Sequence, residues 1–166
     1  MPKRNSDKIW VIVLVLFVIY YIFTSFGPST LYPRGLAAPF DPKEPDPCVT
    51  KKKCLIVYVT PWCPACNSSE ALIKRIRDDF KNSPEYGMMI VIGVASQPEL
   101  AGKALDLGEN TFLDTENKFR KAAKIYAYPT WMVVDQNYNI LSRMTGGYRS
   151  YSESIRQELF RRLKIN

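Results

Sequence analysis

The chain reads as an α/β protein with a mixed central sheet flanked by helices, preceded by a membrane-spanning helix. Three observations predict this. Two β-branched apolar runs, Cys54 to Thr60 (CLIVYVT) and Met88 to Val94 (MMIVIGV), have the pattern of fully buried strands. Between and after them, apolar residues recur at helical spacing. Ile9 to Phe26 (IWVIVLVLFVIYYIFTSF) is apolar apart from Thr24 and Ser25, and no charge lies between Lys8 and Arg34.

That last run has 18 residues. A hydrocarbon layer of about 30 Å takes roughly 20 helical residues, so the run is long enough to span it. It carries apolar side chains all round, which a core helix does not. Lys3, Arg4 and Lys8 precede it against Asp7 alone, and uncharged GPSTLYP follows. The positive-inside rule leaves residues 1–8 cytoplasmic and the rest extracytoplasmic, most simply on the periplasmic side of a bacterial inner membrane. A cleaved signal peptide is the other reading. Its apolar region is usually shorter, and the small-residue site Ala37-Ala38 is distant from the run and followed by Pro39. The uncleaved anchor over residues 9–26 is preferred. Residues 27–47 hold six prolines in 21 positions, a density that blocks helix and ladder bonds and favours an extended spacer or a plain tether.

The rest, 48–166, is one domain in length. Pro61 stops the first strand. A helix follows from Pro64, with Leu72, Ile73, Ile76 and Phe80 inward and Lys74, Arg75 and Arg77 outward. Pro84 and Gly87 precede the second strand. Ser96 opens SQPE, a capping box, so a short helix should run to about Leu107, where Gly108 ends it. Phe112 to Asp114 is a loop or short strand. A helix is expected over Glu116 to Tyr126, with Phe119, Ala122, Ala123 and Tyr126 on one face. Thr130 to Val134 and Ile140 to Thr145 are strands joined by the turn DQNYN. Ser150-Tyr151-Ser152-Glu153 reads as a second capping box, opening a helix with Ile155, Leu159 and Leu163 inward.

Composition narrows the chemistry. Of 166 residues, 23 are Lys or Arg and 16 Asp or Glu, a net charge of +7 spread along the chain. Lys51-Lys52-Lys53 is the only run, a solvated turn or a contact for anionic headgroups, and nucleic acid is not implied. The chain has four Cys and no His, which excludes His-based acid–base catalysis, Ser-His-Asp and Cys-His nucleophiles, and imidazole metal sites.

The reactive candidate is Trp62-Cys63-Pro64-Ala65-Cys66. A C-x-x-C where a strand meets a helix sets Cys63 in the first turn, where free amides and the helix dipole stabilise a thiolate. The thiolate is the species that attacks a disulfide. Cys66, one turn on, can then displace the client and close a Cys63–Cys66 disulfide. Pro64 suits an early helical position. Trp62 flanks the thiols with apolar surface. A structural disulfide or half a zinc site are the alternatives. Cys48 and Cys54 form a second pair, either a structural staple at the domain's start or a redox pair relaying electrons to Cys63–Cys66. Their spacing with the C-x-x-C does not make two zinc knuckles.

On the residues VYVTPWCPAC (Val57 to Cys66) and Tyr128-Pro129-Thr130, the sequence resembles the thioredoxin superfamily, over about Cys54 to Ile165. With its anchor it looks most like the membrane-anchored extracytoplasmic branch that includes the thiol reductases of cytochrome c maturation. The resemblance implies a thioredoxin-like fold, a redox-active disulfide Cys63–Cys66, and no further cofactor or metal. It implies that Pro129 is cis, that the Tyr128 backbone pairs with substrate, and that Trp62, Pro64, Ala65, Tyr128, Pro129 and Thr130 form the client surface. Partners would be protein thiol or disulfide clients, a transmembrane electron donor, and lipid around the anchor. Two departures matter. The buried acid that the family often carries six residues before its first Cys is here Val57. The His that strongly oxidising members use between the cysteines is replaced by Pro-Ala. The second departure favours a protein-disulfide reductase over an oxidase or isomerase. A non-catalytic docking module is the reading from another class.

Overall fold

The computed structural model of the protein describes residues 13–18 and 46–165. The chain divides into two units, Met1–Leu31 and Tyr32–Asn166. In the first, residues 13–18 are helical with every side chain exposed. Among the described residues no helix is long and apolar enough to cross a membrane. The expected N-terminus 1–8 lies outside the described residues. So do the expected span 9–26, apart from 13–18, and the linker 27–47, apart from its last two residues.

The second unit is built on a five-stranded sheet. Its strands are β1 (Lys53–Val59), β2 (Tyr86–Gly93), β3 (Thr111–Asp114), β4 (Thr130–Asp135) and β5 (Ile140–Thr145), in the spatial order β3-β2-β1-β4-β5. β1 runs parallel to β2 and antiparallel to β4, and β4 pairs antiparallel with β5. The two continuous apolar runs are therefore the two inner strands β1 and β2, which explains their lack of alternation: both faces are covered. Val57 sits opposite Ile90 on one side and Trp131 on the other.

The helices are α1 (Pro64–Ser68), α2 (Glu70–Lys81), α3 (Gln97–Leu107), α4 (Lys118–Ala122) and α5 (Glu153–Leu163). Leu72, Ile73, Ile76, Leu100, Leu107, Leu159 and Leu163 from α2, α3 and α5 pack on Leu55, Val57, Val59 and Ile90. The opposite face holds Ile56, Tyr58, Met89 and Val91 under Phe119, Ala123 and Ile125. Cys48 and Cys54 are buried on that second face and joined by a disulfide.

Three expectations change in detail, and one open reading is resolved. The helix expected from Pro64 is two helices, because Ser69 turns its hydroxyl back to the Ala65 carbonyl at 2.7 Å and accepts the Tyr148 amide at 2.8 Å. A serine bonding its own helix backbone in this way bends the helix. The ambiguous segment at Phe112 is a strand, paired parallel to β2. The helix expected over Glu116 to Tyr126 is only α4, since Lys124 adopts a left-handed conformation at φ 51° and turns the chain. Ile125 then goes inward, while Ala122 faces solvent and Tyr126 is 82% exposed. The last helix starts from Ser152, whose hydroxyl accepts the Ile155 amide, rather than from a Ser150–Glu153 box. The box at Ser96 does form, with the Ser96 amide donating to Glu99 at 2.9 Å.

Candidate active site

Pro61 and Trp62 carry the chain out of the sheet beyond β1, and Cys63 becomes the N-cap of α1 rather than a first-turn residue. Its sulfur takes the role a serine or aspartate oxygen usually takes: it accepts the Cys66 amide at 3.2 Å. Pro64 follows at the start of the helix, where no donor is lost. The Cys63 thiol donates to the Tyr128 carbonyl at 3.6 Å, across the Tyr128–Pro129 peptide, which is cis. The C-x-x-C and the Tyr-Pro-Thr thus come together from opposite ends of the domain sequence. The register of β1 against β4 does this, pairing Tyr58 with Thr130.

The surround is built by specific bonds. The Trp62 indole donates to the Val94 carbonyl at 2.7 Å and meets the Tyr128 ring edge-on at 5.6 Å. Trp62 is 55% exposed, so one face stays available. Thr130 is buried and donates its hydroxyl to the Ala127 carbonyl at 2.6 Å. Pro129 accepts the Gly146 amide at 3.0 Å through its carbonyl. Trp131 belongs to the core, its indole bonded to the Gly146 carbonyl. Gly147 lies against α1 so closely that a Cβ there would fall 2.4 Å from the Ala65 carbonyl oxygen, so the loop after β5 closes on Ala65 only as glycine.

The two thiols differ. Both are free and buried, Cys63 6% and Cys66 1% exposed, so Cys63 is more covered than a surface helix start would be. Burial pushes the Cys66 thiol up to about 12, with Cys63 adding to the rise, while the Thr60 amide and the Lys103 charge oppose it. Such a sulfur stays protonated at neutral pH and attacks only when its environment changes.

Several residues that shape the site carry no motif. Val94 holds φ 60°, a conformation unusual for a β-branched side chain, and this places its carbonyl against Trp62. On the far face of the sheet the buried Asp114 accepts the Tyr58 hydroxyl at 3.0 Å and the Phe119 and Arg120 amides. Arg120 in turn reaches the Tyr128 hydroxyl at 3.3 Å. On the near face Lys103, 8% exposed, bonds Asn67 at 2.9 Å and Glu70 at 2.8 Å.

Cys48 and Cys54 sit at the other end of β1. Six strand residues at about 3.3 Å each put roughly 20 Å between Cys54 and the start of the C-x-x-C. A direct intramolecular relay between the pairs is out of reach, and so is one zinc site using all four sulfurs. Among the described residues no group of three or more His, Cys, Asp or Glu is placed to hold a metal ion.

No protein-family model matches the sequence, and no curated protein matches it either. Solved structures do. A secreted disulfide oxidoreductase of Mycobacterium tuberculosis aligns at 16% identity with a TM-score of 0.56, covering 81% of this chain and 95% of that one. The fold is thioredoxin-like. The pneumococcal exposed lipoprotein thioredoxin of Streptococcus pneumoniae aligns at 18% identity and TM-score 0.55, over 68% and 87% of the two chains. StoA of Bacillus subtilis aligns at 20% and 0.52, over 60% and 77%. In this thioredoxin-like domain the C-x-x-C and the cis proline lie where the sequence resemblance put them.

Proposed function

We propose that the protein is a thiol–disulfide oxidoreductase that reduces protein disulfides outside the cytoplasm, tethered by residues 9–26. The observation that carries it is the pairing of an N-cap sulfur on Cys63 with a second, less exposed thiol on Cys66, beside the Tyr128 carbonyl. Cys63 is the nucleophile. Its thiolate attacks a client disulfide, and the mixed disulfide lies against Trp62, Pro64, Ala65 and Tyr128-Pro129-Thr130. Cys66 then displaces the client and closes the Cys63–Cys66 bond, so the site needs no cofactor beyond its own sulfurs.

The reductive direction rests on Pro64-Ala65 between the cysteines, since no cation there stabilises the reduced form. The expected potential lies nearer thioredoxin, at about −270 mV, than the strong oxidants at about −120 mV. The named neighbours include an oxidoreductase described as secreted and a lipoprotein described as exposed, which supports placing this domain on the same side of a membrane. A reductase there draws its electrons through a transmembrane partner, because no soluble reductant is maintained outside the cytoplasm.

Cys66→Ala in the host tests the function. Trapped mixed disulfides between Cys63 and client proteins are expected. No trapped species together with no insulin reduction would leave the docking-module reading. A potential above about −180 mV would reassign the protein as an oxidase or isomerase.

A further inference from the structure

Cys66 carries a chemical problem that the motif does not solve. To resolve the mixed disulfide its sulfur must lose a proton inside a dry pocket, and the strand position that could have offered a carboxylate is Val57, packed in the core. The groups around it come from three elements. Cys63 caps the same helix, and the Thr60 amide approaches from the end of β1. From the side of α3 comes Lys103, whose charge favours the Cys66 thiolate.

Lys103 is unusual in its own right. It lies on the apolar stripe of α3, between Leu100 and Leu107, where a cation is costly unless paired. It is paired: Nζ donates to Asn67 Oδ1 and to Glu70 Oε2, one and four residues past Cys66. The Asn67 amide is itself pinned to the Pro61 carbonyl at 3.3 Å. Glu70 also meets Lys74 at 2.8 Å, so its carboxylate is shared and only part of its charge is spent on Lys103. Lys103, Asn67 and Pro61 line an open cleft of about 390 Å³ with Glu99 and Asp106. The cleft brings solvent to Asn67, the residue next to Cys66 in the helix.

We propose that Lys103, clamped between Asn67 and Glu70, is the positioning residue that presents a positive charge to Cys66 as it resolves the mixed disulfide. This rests on the redox reading above. In the step, the Cys66 sulfur loses its proton to solvent and attacks Cys63 Sγ. A Cys63–Cys66 bond forms, the Cys63–client bond breaks, and its electron pair leaves on the client sulfur, which takes a proton from solvent. The two site thiols are oxidised and the client disulfide is reduced. Lys103 touches no reacting atom. It lowers the energy of the Cys66 thiolate, and Glu70 sets how much of that charge remains.

The test uses the full chain carrying Cys63→Ser, its Cys48–Cys54 disulfide intact. Iodoacetamide alkylation of Cys66 is followed by mass spectrometry across pH, so no client or turnover is needed. A failed trapping experiment and a failed titration are thereby separable. Lys103→Met is expected to slow alkylation at fixed pH by about threefold and to raise its midpoint, since the positive charge facing Cys66 is then gone while Glu70 keeps only Lys74. Glu70→Gln, which keeps a hydrogen-bonding amide, is expected to speed it by about threefold and lower the midpoint. Lys103→Arg should stay near the parent. A purely structural pair predicts something else: either change would loosen α2 against α3 and speed alkylation in both variants. Lys103→Met that alkylates as fast as the parent or faster overturns the proposal. If Lys103→Met does not fold, Lys103→Gln decides, since its amide can still donate to Asn67 or Glu70 without the charge: slower alkylation supports the proposal, and an unchanged or faster rate overturns it.

Discussion

At the start of β1, Cys48 and Cys54 are joined across a short loop, deep in the second core, with Asp46 beside them accepting both the Cys48 amide and the Tyr138 hydroxyl. At the other end, Cys63 and Cys66 remain thiols around a helix start, one touching the Tyr128 carbonyl and the other shut in. Both pairs sit at element boundaries, Cys54 second in β1 and Cys63 capping α1, yet the surroundings diverge. Around the first pair the backbone itself closes in: a Cβ on Gly87 would meet the Pro47 carbonyl at 2.5 Å and the Cys54 sulfur at 3.3 Å. Around the second, the half-exposed Trp62 indole leaves an approach. Burial alone therefore does not make a cysteine inert. Access to a partner sulfur and the charges within reach decide it.

That comparison can be broken most sharply by exchanging roles. Cys63→Ser should reduce insulin turnover to background while the melting temperature stays close to the parent, whereas a Cys48→Ser, Cys54→Ser variant should keep turnover. Loss of turnover in the second variant would mean that the first pair takes part in chemistry. The same double variant should lose roughly 2 kcal/mol of stability, read by urea denaturation, because the bond closes a short loop. An unchanged midpoint would say that the core and Asp46 hold this end without the bond.

A subtler contrast lies in pH. The Cys66 thiol is raised from its ordinary value of 9.0 to about 12 in the folded state. An unfolded chain therefore releases that proton first, and the reduced domain loses stability as pH climbs from about 9 towards 12. The oxidised domain has no such proton and should lack this part of the slope. Tyr58 and Tyr138 are also raised by burial, but they contribute equally to both forms and cancel in the difference. Parallel denaturation of reduced and oxidised protein at pH 8 and pH 10 reads it, and coincident pH slopes would contradict the desolvated thiol. The smallest effect belongs to Trp62→Ala. Removing the exposed indole and its edge-on contact with Tyr128 should raise the client KM by about threefold to tenfold, with kcat and stability little changed. A fall in kcat instead would make Trp62 a part of the thiol chemistry.

Much of this architecture is legible in the sequence because its strongest signals are local. CLIVYVT and MMIVIGV announce the inner strands, and the Ser96 box its helix, since continuous burial and capping leave a mark on neighbouring residues. The C-x-x-C and Tyr-Pro-Thr are legible as motifs, though only the β1–β4 register makes them adjacent. What stays hidden depends on distant partners. Ser69 breaks a helix because Tyr148, nearly eighty positions on, bonds to its hydroxyl. Lys124 and Val94 take left-handed backbones that their residue types do not favour, so local propensity points the wrong way. Lys103 did leave a sign, a cation on the stripe of Leu100 and Leu107, but a stripe with one charge is also what a snorkelling surface lysine produces. Only the pairing with Asn67 and Glu70 separates the two.

The pairing of β1 with β4 also sets an order of events in folding. β2 can add to β1 after closing a loop of moderate length, whereas β4 returns from more than seventy residues away, at greater entropic cost. All four sulfurs precede that return, and until β4 arrives Cys63 has no Tyr128 cover. In this interval the danger is a crossed bond between Cys54 and Cys63. Once extended, β1 acts as a spacer that holds the two pairs roughly 20 Å apart. That separation disfavours a crossed bond and leaves each cysteine its own neighbour, Cys48 beside Cys54 and Cys63 beside Cys66.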